Sequence, residues 1–311
     1  MHKENLIKTS ERIKDFIHRT PVMKSELLNN MANAEIWFKC ENFQRMGAFK
    51  MRGAANAILQ LTQEQRDKGV VTHSSGNFAQ AVALSAKLLS VKAYIVMPEN
   101  APQVKVAAVK DYGGEVILCA STQEAREATA DKVAKDYGAT FMHPYNDINV
   151  VYGQGTAAKE LLEDHNDLDY LLAPIGGGGL ISGTALSSHY LGNNCITYGA
   201  EPYGADDAYQ SFTSGVLTPN KEVNTIADGL RTNLGKVTFP IIQEYVKDII
   251  RVEENEIITA MKLIWERMKI IIEPSCAVPF AAVLKRKDLF ANKKIGIILS
   301  GGNVDLTQLP F

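Results

Sequence analysis

The chain predicts an α/β fold of two lobes, each a mostly parallel twisted sheet flanked by helices, and three observations carry that expectation. Short apolar runs rich in valine and isoleucine alternate with longer stretches of helical period. The alternation falls into two blocks joined by a turn-rich segment, and polar, glycine-containing turns follow three of the expected strands directly. A length of 311 residues is enough for two modest domains with substantial cores.

An opening helix is expected from Asn5 to His18, stopped by Thr20-Pro21 because the residue before proline is pushed out of the α region. GAFKMRGAANA, Gly47 to Ala57, then enters an alanine-rich helix. Three βα pairs make the first block: VVTHS with NFAQAVALSAKLL, AYIVMP with PQVKVAAVKDYG, and EVILC with TQEAREATADKVAKDYG. The segment HPYNDINVVYGQGTAAKELLE, turn residues followed by a helix, crosses back to the first lobe. YLLAPIG with LISGTALSSHYLG resumes the rhythm, CITYGAEP continues it, and KIGIILSGGN closes it after a helix around Pro279 to Lys285. No internal repeat, low-complexity tract or heptad run interrupts the pattern.

Composition excludes several classes. Lys and Arg number 33 against 35 Asp and Glu, a formal net charge of −2, and no basic run interleaved with aromatics offers a nucleic-acid groove. The first residues are charged throughout and lack the apolar region of a signal peptide, while no later apolar run reaches membrane-spanning length, so a soluble cytoplasmic protein with no membrane partner is expected. Cys40, Cys119, Cys195 and Cys276 lie far apart in apolar runs and read as reduced structural thiols.

The turns SSGN (Ser74 to Asn77), GGGG (Gly176 to Gly179) and SGGN (Ser300 to Asn303) sit at strand ends, the edge of an open α/β sheet where ligands bind. Four consecutive glycines opening a helix present successive backbone N–H groups, which is what a phosphate needs. The run fits neither the dinucleotide fingerprint, which would need glycine at Ile181 or Ser182, nor a Walker A frame, since no lysine follows. Lys50 stands just inside a helix N-terminus, where the dipole disfavours a cation, among Ala48, Phe49, Met51 and Ala54-Ala55. A desolvated lysine loses its ammonium, becomes nucleophilic and can form a Schiff base. Phosphate cradle and lysine together point to pyridoxal phosphate.

The ordered motifs AFKMRGA, SSGNFAQA, VMPENAPQVKVAAVKDYG, GQGT, PIGGGGLISG, AEPYGADDAYQS, IADGL, EPSCAV and SGGNVD resemble the fold-type-II, tryptophan synthase β-like pyridoxal phosphate enzymes. Within them the chain resembles serine racemases and catabolic serine/threonine dehydratases over nearly its whole length. The resemblance implies a large cofactor-binding lobe, residues 1–69 and 147–311, and a smaller substrate-closing lobe, residues 70–146. It implies that Lys50 carries the cofactor and takes the Cα proton, that Phe49 packs on the ring, that Asn77 bonds the ring hydroxyl, that Gly176, Gly177, Gly178 and Gly179 hold the phosphate, and that Ser300 faces the pyridine nitrogen. A serine cannot keep that nitrogen protonated as an aspartate would, which weakens the electron sink and suits β-elimination. Ser74, Ser75 and Asn77 are expected at the substrate α-carboxylate, with Arg126 a further substrate contact and Ser75 the acid–base group on the face opposite Lys50. Glu201, Ala205 through its carbonyl, and Asp207 match a divalent-cation site suited to Mg²⁺, Ca²⁺ or Mn²⁺. A homodimer is the assembly the resemblance implies.

Some positions depart from the pattern. Phe78 stands where SSGNH has histidine, removing a polar side chain from the substrate pocket. Tyr145 replaces the asparagine of serine racemase, as in catabolic threonine dehydratases, whereas Arg126 matches the racemase. Arg45 and Met46 differ at nucleotide-contacting positions while Lys105 and Tyr112 are kept, so ATP activation is not implied. The chain ends after SGGNVDLTQLPF, so isoleucine feedback through a C-terminal domain is not expected. The expected activity is dehydration of L-serine or L-threonine to a 2-oxo acid and ammonia, with serine racemisation as a second activity. A primary serine racemase, a 3-hydroxyaspartate dehydratase, and a non-catalytic phosphate- or nucleotide-binding regulator on the same fold stay open as alternatives.

Overall fold

The computed structural model describes residues 2–311. Ten strands run in chain order: β1 Val22–Met23, β2 Glu35–Cys40, β3 Val70–His73, β4 Ala93–Pro98, β5 Glu115–Cys119, β6 Thr140–Phe141, β7 Tyr170–Pro174, β8 Ile196–Pro202, β9 Val246–Val252 and β10 Lys294–Leu299. Six form one sheet in the order β1-β2-β10-β7-β8-β9, and four form a second in the order β5-β4-β3-β6. Every pairing is parallel except that of the two-residue edge strand β1 with β2. The expected two-sheet α/β architecture is therefore the one observed. Sequential strands are joined by helical crossovers, and both faces of the large sheet are covered, one by a core around Phe38, Phe280 and Ile297, the other by Leu171, Ile181 and Ile298.

The expected strands of both blocks appear at or within a few residues of their positions. Strands β2 and β9, and the two-residue β1 and β6, were not anticipated. EIWFKC carries a lysine that interrupts its apolar run, yet Lys39 is fully buried, because partners from other elements satisfy its ammonium. The opening helix differs from expectation: it spans Lys3–Ile13 rather than Asn5 to His18. The chain turns where the Phe16 amide bonds the Ile13 carbonyl, and Gln44 then takes over, its Oε1 accepting from the His18 amide at 2.8 Å and its Nε2 donating to the His18 carbonyl. The helix thus stops well before Pro21, and the Gln44 bonds fix the extended chain that follows.

Helix Lys50–Leu59 lies between the sheets. Met51, Ala54, Ala55 and Ile58 pack into one core with Phe78, Ala81 and Val82 of helix Asn77–Leu88. Its other side meets helix Ile148–Asp164, which is stacked in turn on helix Gly179–Leu191. Small residues permit the approach: a Cβ on Gly153 would stand 2.5 Å from the Gly53 Cα, and one on Gly183 would stand 2.5 Å from the Gly155 amide nitrogen. That explains the two glycines of GQGT.

Candidate active site

The turns SSGN and SGGN, after the carboxyl ends of β3 and β10, meet where Asn303 Nδ2 donates to Asn77 Oδ1, and the glycine run follows the carboxyl end of β7 in the same sheet as β10. Lys50 is the first residue of its helix, and the Phe49 amide donates to the Ser300 carbonyl at 3.0 Å. Gly47 precedes it at φ +77°, where a Cβ would stand 2.6 Å from Asn303 Oδ1, so the tight entry into the helix demands glycine. Lys50 Nζ donates to the Pro144 carbonyl at 3.0 Å and stands 5.1 Å from the Phe49 ring centroid and 5.6 Å from that of Phe78. Burial lowers its pKa from 10.5 to about 8, with the Glu273 carboxylate opposing. Phe78, 2 % exposed, belongs to the core that helix Lys50–Leu59 shares with helix Asn77–Leu88 and presents its ring to the lysine rather than forming an open pocket wall.

The glycine run leads from β7 into helix Gly179–Leu191, whose first-turn amides have no acceptor inside the helix. Gly178 adopts φ +86°. Tyr145 lies across the run, close enough that a Cβ on Gly177 would stand 2.2 Å from its Cδ1. The turn bearing Tyr145 is tied by His143, whose Nδ1 accepts the amides of Tyr145 at 3.3 Å and Asn146 at 2.9 Å and so leaves the ring proton on Nε2. Burial, with His73 and Lys50 nearby, takes the His143 pKa down to about 4. Thr238 Oγ1 holds the run from behind by donating to the Gly177 carbonyl at 2.9 Å.

Helix Asn77–Leu88 has no side-chain cap, so its first amides have no acceptor from a capping side chain, and a Cβ on Gly76 would meet open space. Ser74, Ser75 and Asn77 are half-buried there. Asn77 Nδ2 donates to both Glu273 oxygens at 3.1 Å, and its Oδ1 accepts from Asn303 Nδ2 at 2.8 Å. Glu273 is buried, and burial followed by the nearby Asp228 raises its pKa to about 7. Sequence reasoning assigned it no role. Its signal was a lone carboxylate in the apolar run IIIEPSCAV, just before a proline that starts a helix. Arg126 is engaged on its own helix, donating to the Thr122 carbonyl and to Gln123 Oε1.

A phosphorylated pyridine aldehyde suits this cleft on one observation in particular. Ser300 Oγ is buried without any hydrogen-bond partner of ordinary geometry, at the strand end that bonds Phe49 beside Lys50. The Cys276 thiol nearby is too weak a partner to satisfy it. A buried hydroxyl left alone costs free energy and calls for a ligand atom. Glu201 and Asp207 lie at the end of β8 and the start of helix Asp207–Ser214, both buried. Glu201 accepts the amides of Ala208 and Tyr209, and Asp207 accepts from Asn220 Nδ2 and the Leu234 amide. Burial and then mutual repulsion raise the Glu201 pKa well above the usual range. Two such carboxylates with the Ala205 carbonyl are a hard-oxygen set, although among the described residues no group of three or more His, Cys, Asp or Glu could hold a metal. Among the described residues no helix is long and apolar enough to cross a membrane.

An α/β cleft with a glycine cradle, a desolvated lysine and an orphaned serine defines a phosphate-cofactor enzyme of the lysine-linked class. Residues 13–301 match the family described as pyridoxal-phosphate dependent enzyme, and the chain belongs to that family. It is 50% identical over 304 residues to the serine racemase of Dictyostelium discoideum, covering 96% of this chain and 94% of that protein. It is 48% identical over 305 residues to the L-threo-3-hydroxyaspartate ammonia-lyase of Saccharomyces cerevisiae, covering 98% and 94%. Among solved structures, the T.th. threonine deaminase superposes with a TM-score of 0.94 at 38% identity, covering 99% of this chain and 100% of that one.

Proposed function

We propose that the protein is an ammonia-lyase that dehydrates small L-β-hydroxy-α-amino acids, L-serine and L-threonine among them, to 2-oxo acid and ammonia, with serine racemisation as a second activity. The single observation that carries the reading is Lys50: an amine of lowered pKa, between two aromatic rings, beside a glycine cradle and an unpartnered serine. A binding module has no use for it. Pyridoxal phosphate, when bound, supplies an electron sink that acidifies the substrate Cα–H. The chain's own residues do the rest. Gly176 to Gly179 would hold the cofactor's phosphate on backbone amides, with Phe49 to pack on the ring and Ser300 to meet the pyridine nitrogen. The amides and hydroxyls of Ser74, Ser75 and Asn77 hold the α-carboxylate at the helix start.

Lys50 takes the Cα proton on one face. Departure of the β-hydroxyl with a proton then leaves an enamine, which becomes an imine and is hydrolysed to 2-oxo acid and ammonia. Ser75, on the opposite lobe, is the acid–base group for the second face that racemisation requires. A 3-hydroxyaspartate substrate is the second reading. It is favoured by the named activity of the yeast relative and by Arg126, which lies near His73 at the β3 end and offers a cation to a second carboxylate. Incubation with L-serine, D-serine, L-threonine and L-threo-3-hydroxyaspartate, following 2-oxo acid and enantiomer composition, ranks these substrates. Cofactor-loaded protein inert on all four would favour the regulator.

Glu201, the Ala205 carbonyl and Asp207 are proposed to hold a divalent cation in a structural or activating role, since a cation offsets the repulsion between the two buried carboxylates. Chelation is expected to lower the melting temperature of wild type and to leave Asp207→Asn unmoved. An equal response in both argues against the site. A cytoplasmic homodimer completes the reading.

A further inference from the structure

Four charged side chains outside the cleft, Lys39, Glu41, Arg52 and Glu160, meet in the interior where β2, helix Lys50–Leu59 and helix Ile148–Asp164 join. Lys39, Glu41 and Arg52 are fully covered and Glu160 is 4% exposed. Arg52 makes two forks. Its Nε and Nη2 donate to Glu41 at 2.7 and 2.9 Å, and its Nη1 and Nη2 donate to Glu160 at 2.7 and 2.8 Å. Lys39 Nζ donates to Glu160 at 2.6 Å and to the Thr20 carbonyl, and Thr20 Oγ1 donates to Glu41. Burial works against the Glu160 carboxylate, yet Arg52 and Lys39 keep its pKa below the usual range. Two cations balance two anions.

Such a cluster is a poor device for stability, because desolvation offsets most of the attraction and apolar residues of like volume serve as well. What paired forks do supply is direction. Arg52 follows Lys50 by two residues, about 200° around the helix, so the forks hold the side of the helix opposite the lysine. The same helix packs Met51, Ala54 and Ile58 into one core with Phe78, Ala81 and Val82 of helix Asn77–Leu88, an apolar contact with little directionality. On the large-lobe side Glu160 belongs to the helix whose Gln154 Oε1 accepts the Gly53 amide at 3.1 Å, and whose Gly155 touches Gly183 of the tetraglycine helix. An unbroken stack of three helices thus runs from Lys50 to the glycine run.

We propose that Arg52 and Glu160 are positioning residues that set the spacing between Lys50 Nζ and the Gly176–Gly179 cradle. This rests on the reading that Lys50 carries the cofactor, and the test separates the two. Cofactor-free protein is titrated with pyridoxine 5′-phosphate, which has no aldehyde and reports the cradle alone. A second titration uses pyridoxal 5′-phosphate, whose aldehyde condenses with the Lys50 amine with loss of water and so reports cradle and lysine together through its visible absorbance. In Arg52→Lys, which keeps the charge and loses the forks, affinity for the first is expected within about threefold of wild type, while covalent attachment weakens by about tenfold or more. Glu160→Gln is expected to change the ratio of the two affinities in the same sense, and it serves if Arg52→Lys does not fold. Lys39→Met disturbs the same cluster but spares both forks, and is expected to lower the melting temperature while leaving the ratio unchanged. Both affinities falling in proportion, no change in Arg52→Lys and Glu160→Gln, or an equal shift in Lys39→Met would overturn the inference. Borohydride reduction and peptide mass spectrometry of wild type that leave Lys50 unmodified would instead remove the cofactor reading, and this inference with it.

Discussion

Lys50 shows how far surroundings change a side chain. With its pKa brought from 10.5 to about 8 by burial, about half of the amine is free at pH 8, against well under a hundredth for an exposed lysine. Trace acylation of cofactor-free protein across pH, read by peptide mass spectrometry, is expected to give Lys50 a midpoint near 8 while exposed lysines keep rising towards 10.5; a curve coincident with the bulk contradicts this. Glu273 has the opposite sign. Its pKa rises from 4.5 to about 7, first through burial and then through Asp228, so the native state keeps a proton that the unfolded chain has already lost. Stability is therefore shed as pH climbs from 4.5 through 7, by on the order of 3 kcal/mol at about 1.4 kcal/mol per unit. Melting curves of cofactor-free wild type are expected to fall, relative to Glu273→Gln, between about pH 5 and 7.5. Parallel curves for the two proteins speak against a protonated Glu273.

At the scale of elements, the glycine run is shaped as much by Tyr145 as by any phosphate. In Gly177→Ala the new methyl would lie 2.2 Å from the tyrosine ring, so the ring or the turn 143–146 must give way. A loss of about 1–3 kcal/mol and weakened cofactor binding are expected, with stability largely regained in Gly177→Ala/Tyr145→Ala. Additive losses in a double-mutant cycle would show that the two do not meet. The run itself was legible because four glycines after an apolar strand have few other uses, and the βα rhythm was legible because its two periods differ. What lies across the run was not: Tyr145 and the run are thirty and more residues apart, and nothing in HPYN says where its ring goes. Strand β2 was missed for a related reason, since a buried lysine reads as a surface residue until Glu160, 121 positions away, is placed beside it. Glu273 likewise acquires meaning only through Asn77 and Asp228.

At the scale of the whole molecule, the two sheets are joined by apolar packing behind Lys50, by hydrogen bonds from Asn77 to Glu273 and Asn303, and by an ion pair beside Glu273. Lys105, on helix Gln103–Asp111, donates to Asp228 of the segment Asp228–Leu230 at 3.1 Å. The side chains are 33% and 43% exposed, so the pair contributes at most about 1 kcal/mol and does not by itself hold the lobes together. Its charges nevertheless reach the interior in opposite senses: Asp228 raises the Glu273 pKa and Lys105 lowers it. The proton affinity of Glu273 thus depends on where Lys105 sits. Asp228→Asn is expected to bring the Glu273 midpoint below about 7 and Lys105→Met to carry it above, as measured by carboxyl-carbon NMR titration of glutamate-labelled protein with Glu273→Gln identifying the resonance. Midpoints that move together, or do not move, would mean that the pair is electrically remote from the site. Opposite shifts would make Glu273 a reporter of how closely helix Gln103–Asp111 sits on the segment Asp228–Leu230, because the lysine acts on it from that helix.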